Sequence, residues 1–184
     1  MRTIENLFDL IGQQFEGMSL KVFMLFAVVG MLGVGIAITL YERSSGKKVD
    51  ATKKAGYFFL VLYLSFLFQI TYYRREPGSR SGITTSLKDI FSFGHDVGQM
   101  IYRFLNIVLF VPFGAILTGL LKEISGWRRV VVIISFSYLT SLVIEITQLL
   151  TQRGYFEVSD LLMNVLGGLL GCSIASVLIR VRKR

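Results

Sequence analysis

One cysteine, one histidine, one tryptophan and two prolines are all that 184 residues hold of these types. Cys172 alone cannot close an internal disulfide, and with His95 as its only histidine companion it cannot build a zinc site of the usual composition. Glu145, Asp160 and nearby amide oxygens offer only a thin ligand set for magnesium or calcium, and no metal or cofactor is expected. Gly30, Gly33 and Gly35 do not form a nucleotide loop, since no strand precedes them and no Lys-Ser or Lys-Thr follows. Charge is also scarce. Only 17% of residues are charged against 53% hydrophobic, and the mean hydropathy is +0.60. Such a chain is too apolar for a soluble globule of this size and reads as a membrane protein. The net charge of +8 is then first a topology signal, and no nucleic-acid partner is expected.

What the sequence has in quantity is long uncharged runs. Twenty uncharged residues separate Lys21 from Glu42, 19 separate Lys54 from Arg74, 18 separate Arg103 from Lys122, and 19 separate Asp160 from Arg180. Val130 to Gln152 adds 23 residues broken by one charge, Glu145. Each run is near the roughly 20 residues a helix needs to cross a bilayer. The expected fold is all-α, a polytopic membrane protein with five transmembrane helices. Ile4, Leu7, Phe8, Ile11 and Phe15 recur at helical spacing, which predicts an amphipathic interfacial helix over residues 1–18. Two helices follow over 19–73, and a third region, 74–184, holds a loop and three more helices. Within the loop, Leu87, Ile90, Phe91 and Phe93 suggest a short surface helix.

Five spans put the termini on opposite sides. One side carries 12 Lys/Arg in 26 residues of connecting chain and the other 8 in 61, so the positive-inside rule predicts an outer N-terminus and a cytoplasmic C-terminus. With that orientation the costly intramembrane polar groups gather toward the outer face. Asn106 on the third span and Asn164 on the fifth lie about 5 and 6 Å in, and Gln148 and Glu145 on the fourth about 6 and 10 Å in. Ser141, Glu145, Gln148 and Gln152 share one helical stripe, and Asp160, Asn164, Gly167 and Gly171 share another. A lone carboxylate in mid-membrane costs a few kcal/mol, so Glu145 is expected to be protonated, hydrated or paired, with Arg153 or Arg74 the favoured partner and Arg75 also at that rim.

Two readings of this cluster stand side by side. The polar groups are interhelical hydrogen-bonding glue, or they line a pocket that binds a headgroup or does acid–base work. Gly167, Gly171 and Ala175 form a small-residue stripe read as close helix packing, and Pro112 with Gly114 is also read as structural. Trp127 beside Arg128 and Arg129 reads as an interfacial anchor, and His95 beside Asp96 as an ordinary surface residue.

Asn106 followed by Pro112-Phe113-Gly114, then Glu145-Ile146-Thr147-Gln148, Arg153, Asp160, Asn164 and Gly167-Gly168, resembles the polar signature of the VanZ-like membrane proteins, from about Tyr72 to the C-terminus. The chain departs from that family after Arg80, where no Asn-Leu-x-Pro-Phe segment follows. The resemblance implies a bacterial plasma-membrane protein contributing to resistance against lipoglycopeptide antibiotics such as teicoplanin. Its partners would be a membrane lipid or lipid-linked cell-wall precursor, or the antibiotic. On this reading Arg74, Asn106, Glu145, Gln148, Arg153, Asp160 and Asn164 bind the ligand. An enzymatic alternative makes Glu145 and Asp160 a general acid/base pair on an envelope lipid, and a small permease or accessory subunit is the remaining alternative.

Overall fold

In a computed structural model, which describes residues 12, 16–78, 80–84, 97–124 and 126–182, five long helices carry the chain back and forth. They are α1 (Leu20–Ser45), α2 (Ala51–Phe68), α3 (Val97–Leu120), α4 (Gly126–Leu150) and α5 (Val158–Arg182). All five are long and apolar enough to cross a membrane, as the uncharged runs predict. The expected amphipathic helix, the surface helix around Leu87–Phe93 and the pair His95 and Asp96 lie outside the described residues.

Local chemistry sets the ends of these helices. Ser19 caps α1, its Oγ accepting the Val22 N–H at 3.4 Å, and Gly46 ends it in the left-handed region at φ 66°. Asp50 caps α2 through the Thr52 N–H at 3.0 Å, and hydrogen bonding from Thr52, its side chain first and its backbone N–H next, holds the Asp50 carboxyl below the usual range. At that same end of the bundle, Lys54 pairs with Glu42 at 2.9 Å and Lys53 with Glu123 at 2.8 Å, joining the last turn of α1 and the turn after α3 to the start of α2.

At its other end α2 does not stop cleanly. It widens into a single π-turn, Gln69–Tyr73. Past it, β1 (Arg80–Thr84) pairs in parallel with β2 (Arg153–Glu157), Arg80 opposite Arg153 and Thr84 opposite Glu157. The sequence reading has only irregular chain here. The two strands are five residues each and 73 residues apart, so no local alternation announces them, and the pairing depends on α3 and α4 returning β2 to the same end.

Helix α5 packs most extensively on α3 and next on α4, while α1 leans chiefly on α2. The α3–α5 crossing is glycine-built. A Cβ at Gly167 would strike the Ile107 carbonyl, one at Gly171 the Val111 carbonyl, and one at Gly114 the backbone of Gly168. The small-residue stripe is therefore a close helix contact, as expected. A compact apolar core of Leu67, Phe110, Phe113, Leu117, Ile133 and Cys172 lies beside it, and Tyr63 of α2 donates its hydroxyl hydrogen to the Leu109 carbonyl of α3. Elsewhere the usual sorting is inverted. Leu25, Val29, Leu32 and Ile36 face outward, while Ser137, Ser141, Glu145, Gln148 and Asn164 are buried. That is the arrangement of helices whose surroundings are as apolar as their own side chains, so polar groups gain most by facing one another.

Candidate functional site

The buried polar groups converge at the end of the bundle that carries β1 and β2. On α4, Ser137, Ser141, Glu145 and Gln148 form one buried face, each three or four residues from the next. Gln152, expected on the same stripe, is not part of it. The helix ends at Leu150, and Gln152 sits exposed in a left-handed turn at φ 55°. The stripe extends instead the other way, to Ser137. Asn164 of α5 faces this row and donates from Nδ2 to the Ser141 Oγ at 2.7 Å, so the two stripes do meet. The Oδ1 of Asn164 and the Oγ of Ser137 are buried without a hydrogen-bond partner.

Glu145 is 2% exposed. Its carboxylate accepts the backbone N–H of Glu157, the last residue of β2, at 2.9 Å. Asp160, in the first turn of α5 and only partly buried, is hydrogen-bonded by the Asn106 side chain of α3. Four of the residues singled out by energetic cost, Asn106, Glu145, Asp160 and Asn164, thus come together across three helices. Three acids, Glu145, Glu157 and Asp160, lie within electrostatic reach of one another. Arg75 lies within reach of both Glu145 and Asp160, and Arg103 of Asp160. Among the described residues, no group of three or more His, Cys, Asp or Glu is placed to hold a metal ion.

The cations are arranged differently from expectation. Arg153 does not grip Glu145. Its Nη1 donates to the carbonyls of Tyr72, Tyr73 and Arg75 at 3.1, 3.3 and 2.6 Å, and its guanidinium lies 4.4 Å from the Tyr72 ring centroid. The physical reason is that the chain leaving the π-turn presents successive carbonyls at the negative end of the helix dipole, the Tyr72 one also accepting the Arg75 N–H at 3.1 Å, and a cationic nitrogen placed there serves several at once. Gln148 does the same one residue earlier, donating from Nε2 to the Thr71 carbonyl at 2.7 Å. Arg74 bends back toward its own helix, its Nε 3.5 Å from the Ile70 carbonyl, and burial together with Arg75 lowers its pKa. Of the three arginines, Arg75 is the one whose charge is felt at the acidic pair.

Several contributors have no sequence signal of their own. Gly154 is one: a Cβ there would lie 2.6 Å from Arg75 Nη1 and 3.1 Å from Gln148 Oε1, so its bare backbone lets both side chains pass. Glu157 is another, since what ties it to Glu145 is its backbone amide. Gln69, fully buried at the start of the π-turn, accepts the Ser19 N–H at 3.1 Å and ties the entry of α1 to this end. A π-turn inside a long helix often marks a functional site, but only the backbone shows it.

With the carboxylate, the amides and the capping guanidinium in place, the chain can be compared with known proteins. The family whose profile matches is VanZ/LLP1, over residues 54–180. The chain belongs to the VanZ/LLP1 family. The VanZ/LLP1 match starts earlier than the residue signature suggests, at Lys54 and not near Tyr72, so it includes α2 and the π-turn that Gln148 and Arg153 cap. No curated protein and no solved structure matches this VanZ/LLP1 chain.

Proposed function

We propose that this VanZ/LLP1 protein lies in the bacterial plasma membrane with its N-terminus outside and its C-terminus cytoplasmic. Its polar end then faces outward and binds the headgroup of a lipid-linked envelope component or the lipid anchor of a lipoglycopeptide such as teicoplanin, reducing the drug's access. The observation that carries this reading is the convergence of Glu145, Asp160, Asn106 and Asn164 from three membrane-crossing helices beside Arg75. Packing alone is served by uncharged groups at lower cost, whereas ionisable side chains inside spans usually mark a ligand or proton path.

The roles divide by burial. Glu145, Gln148 and Asn164 are buried and shape the wall, whereas Asp160, Asn106, Arg74 and Arg153 are partly open and meet the ligand. A second reading makes Glu145 and Asp160 a general acid/base pair on an envelope lipid, and the electrostatic reach between the two carboxylates favours it over transport. The test is teicoplanin susceptibility of a sensitive Gram-positive host carrying wild type, empty vector or the Glu145→Gln/Asp160→Asn variant at matched membrane abundance. Protection by wild type and not by the variant is expected. Equal protection by both returns the cluster to a packing role. Turnover of an envelope lipid by purified protein, lost in Asp160→Asn, would shift the reading to the enzyme.

A further inference from the structure

An apolar groove opens between α2 and α4 at the polar end. One wall is Leu64, Phe68 and Tyr72, at intervals of four residues through the last turns of α2 and the π-turn, and the other is Thr140, Val143 and Thr147 of α4. The space between them is about 330 Å³, the size of a small-ligand site. Leu64 and Val143 are exposed on the apolar surface of the bundle, so the groove is reached from the surrounding lipid. Its lining on α4, Leu139 to Thr147, covers about 12 Å along the helix. That is close to the depth of one leaflet of a hydrocarbon core about 30 Å thick.

A fixed positive charge stands against Tyr72, the lining residue at the polar end of the groove. Three rings stand in file, Phe26 on Phe68 at 4.4 Å and Phe68 on Tyr72 at 5.1 Å, and the Arg153 guanidinium closes the file 4.4 Å above Tyr72. Arg153 meets carbonyl oxygens and no carboxylate among the described residues, so its charge is not cancelled by an ion pair, and its Nε is buried with no hydrogen-bond partner. The three acids are gathered on the other face of α4 and on the β2–α5 junction, away from the groove lining. A one-leaflet apolar slot ending at an uncancelled guanidinium complements an amphiphile with an apolar chain and an anionic head.

We propose that the groove between α2 and α4 binds one acyl chain of an anionic phospholipid, with its net-anionic head, uncompensated by a headgroup cation, held at Arg153 over Tyr72. This deepens the proposed function by naming the lipid class for that end of the bundle, and it rests on that reading for the outer-leaflet placement alone.

The experiment is native mass spectrometry of the full chain released from nanodiscs of phosphatidylglycerol or of phosphatidylcholine. One phosphatidylglycerol retained per chain is expected, preferred over phosphatidylcholine by about tenfold, the size one charge-assisted contact supports. Thr140→Trp, which fills the slot, should remove the retained lipid, and Leu170→Trp on the exposed face of α5 should leave it. Arg153→Gln should retain a chain but lose the preference. Equal retention of both lipids, or undiminished retention in a folded Thr140→Trp, overturns the proposal. So does retention of added teicoplanin with no retained phosphatidylglycerol. Preferential lipid retention without antibiotic protection upholds this site and sinks the resistance reading, and protection without preferential retention does the reverse.

Discussion

The buried Glu145 carboxylate of α4 holds the backbone N–H of Glu157 at 2.9 Å, twelve residues further along the chain. A side chain deep in one span thereby fixes the last residue of β2, immediately ahead of α5. At the other end of β2, Arg153 hangs on the carbonyls that close α2. The strand is pinned at both ends, and Asp160 takes its position from that pinning.

Glu145→Gln keeps an acceptor oxygen for the Glu157 amide, so its thermal stability in detergent should stay near wild type. Glu145→Ala leaves that buried N–H without its acceptor and should cost about 1–3 kcal/mol. A Glu145→Gln protein that is stable but fails to protect against teicoplanin would separate ligand binding from folding. Equal melting temperatures for the two variants would contradict the tether.

Arg153→Lys should destabilise by about 1–2 kcal/mol, because a shorter ammonium replaces the guanidinium whose Nη1 reaches three carbonyls and whose plane lies over Tyr72. Tyr72→Phe keeps the ring and should be nearly neutral. Thermal denaturation of both in the same detergent checks the pair. A larger loss in Tyr72→Phe than in Arg153→Lys would show that the phenol, and not the guanidinium, holds this corner.

Gly171→Ala should separate α3 from α5 and cost at least about 1–3 kcal/mol, since the added methyl meets backbone and not a flexible side chain. Gly33→Ala and Gly35→Ala face open space and gain helix propensity, so they should be neutral or stabilising. Membrane abundance and melting temperature of the three variants decide it.

The Asn164–Ser141 hydrogen bond should contribute a coupling of about 0.6 kcal/mol, and no more than about 1.7, as bonds between membrane helices do. A double-mutant cycle of Asn164→Leu and Ser141→Ala measures it. Zero coupling would mean that Asn164 is kept for something other than packing.

Orientation is open to a direct check in a Cys172→Ser background, which removes the chain's only thiol. Glu76→Cys and Lys48→Cys are both exposed and lie at opposite ends of α2. A membrane-impermeant maleimide on intact cells should label the cysteine at 76 and spare the one at 48. The opposite pattern would invert the proposed topology and place the polar end in the cytoplasm.

Five spans and the identity of their expensive residues were legible because each depends on a local quantity: the length of an uncharged run, or a polar group three or four positions from another. Asn106, Glu145, Gln148, Asp160 and Asn164 stand out one by one from the cost of placing them in lipid. Partner choice depends on something else. Arg153 looks like a mate for Glu145 because both belong near the same rim and a guanidinium can grip a carboxylate, yet it bonds the carbonyls of Tyr72, Tyr73 and Arg75, 78 to 81 residues away. Gly154 and the amide of Glu157 have no charge or periodicity to draw attention, and the parallel pairing of β1 with β2 is set by how two intervening helices return the chain.

The sequence by itself determined the solvent of this protein, the number of its crossings and which side chains cannot face lipid, because transfer free energy is a property of each residue and its near neighbours. Only the tertiary structure decided which carbonyls, amides and guanidiniums meet those side chains, because hydrogen bonds are directional and their geometry exists only once α2, α4 and α5 are packed together.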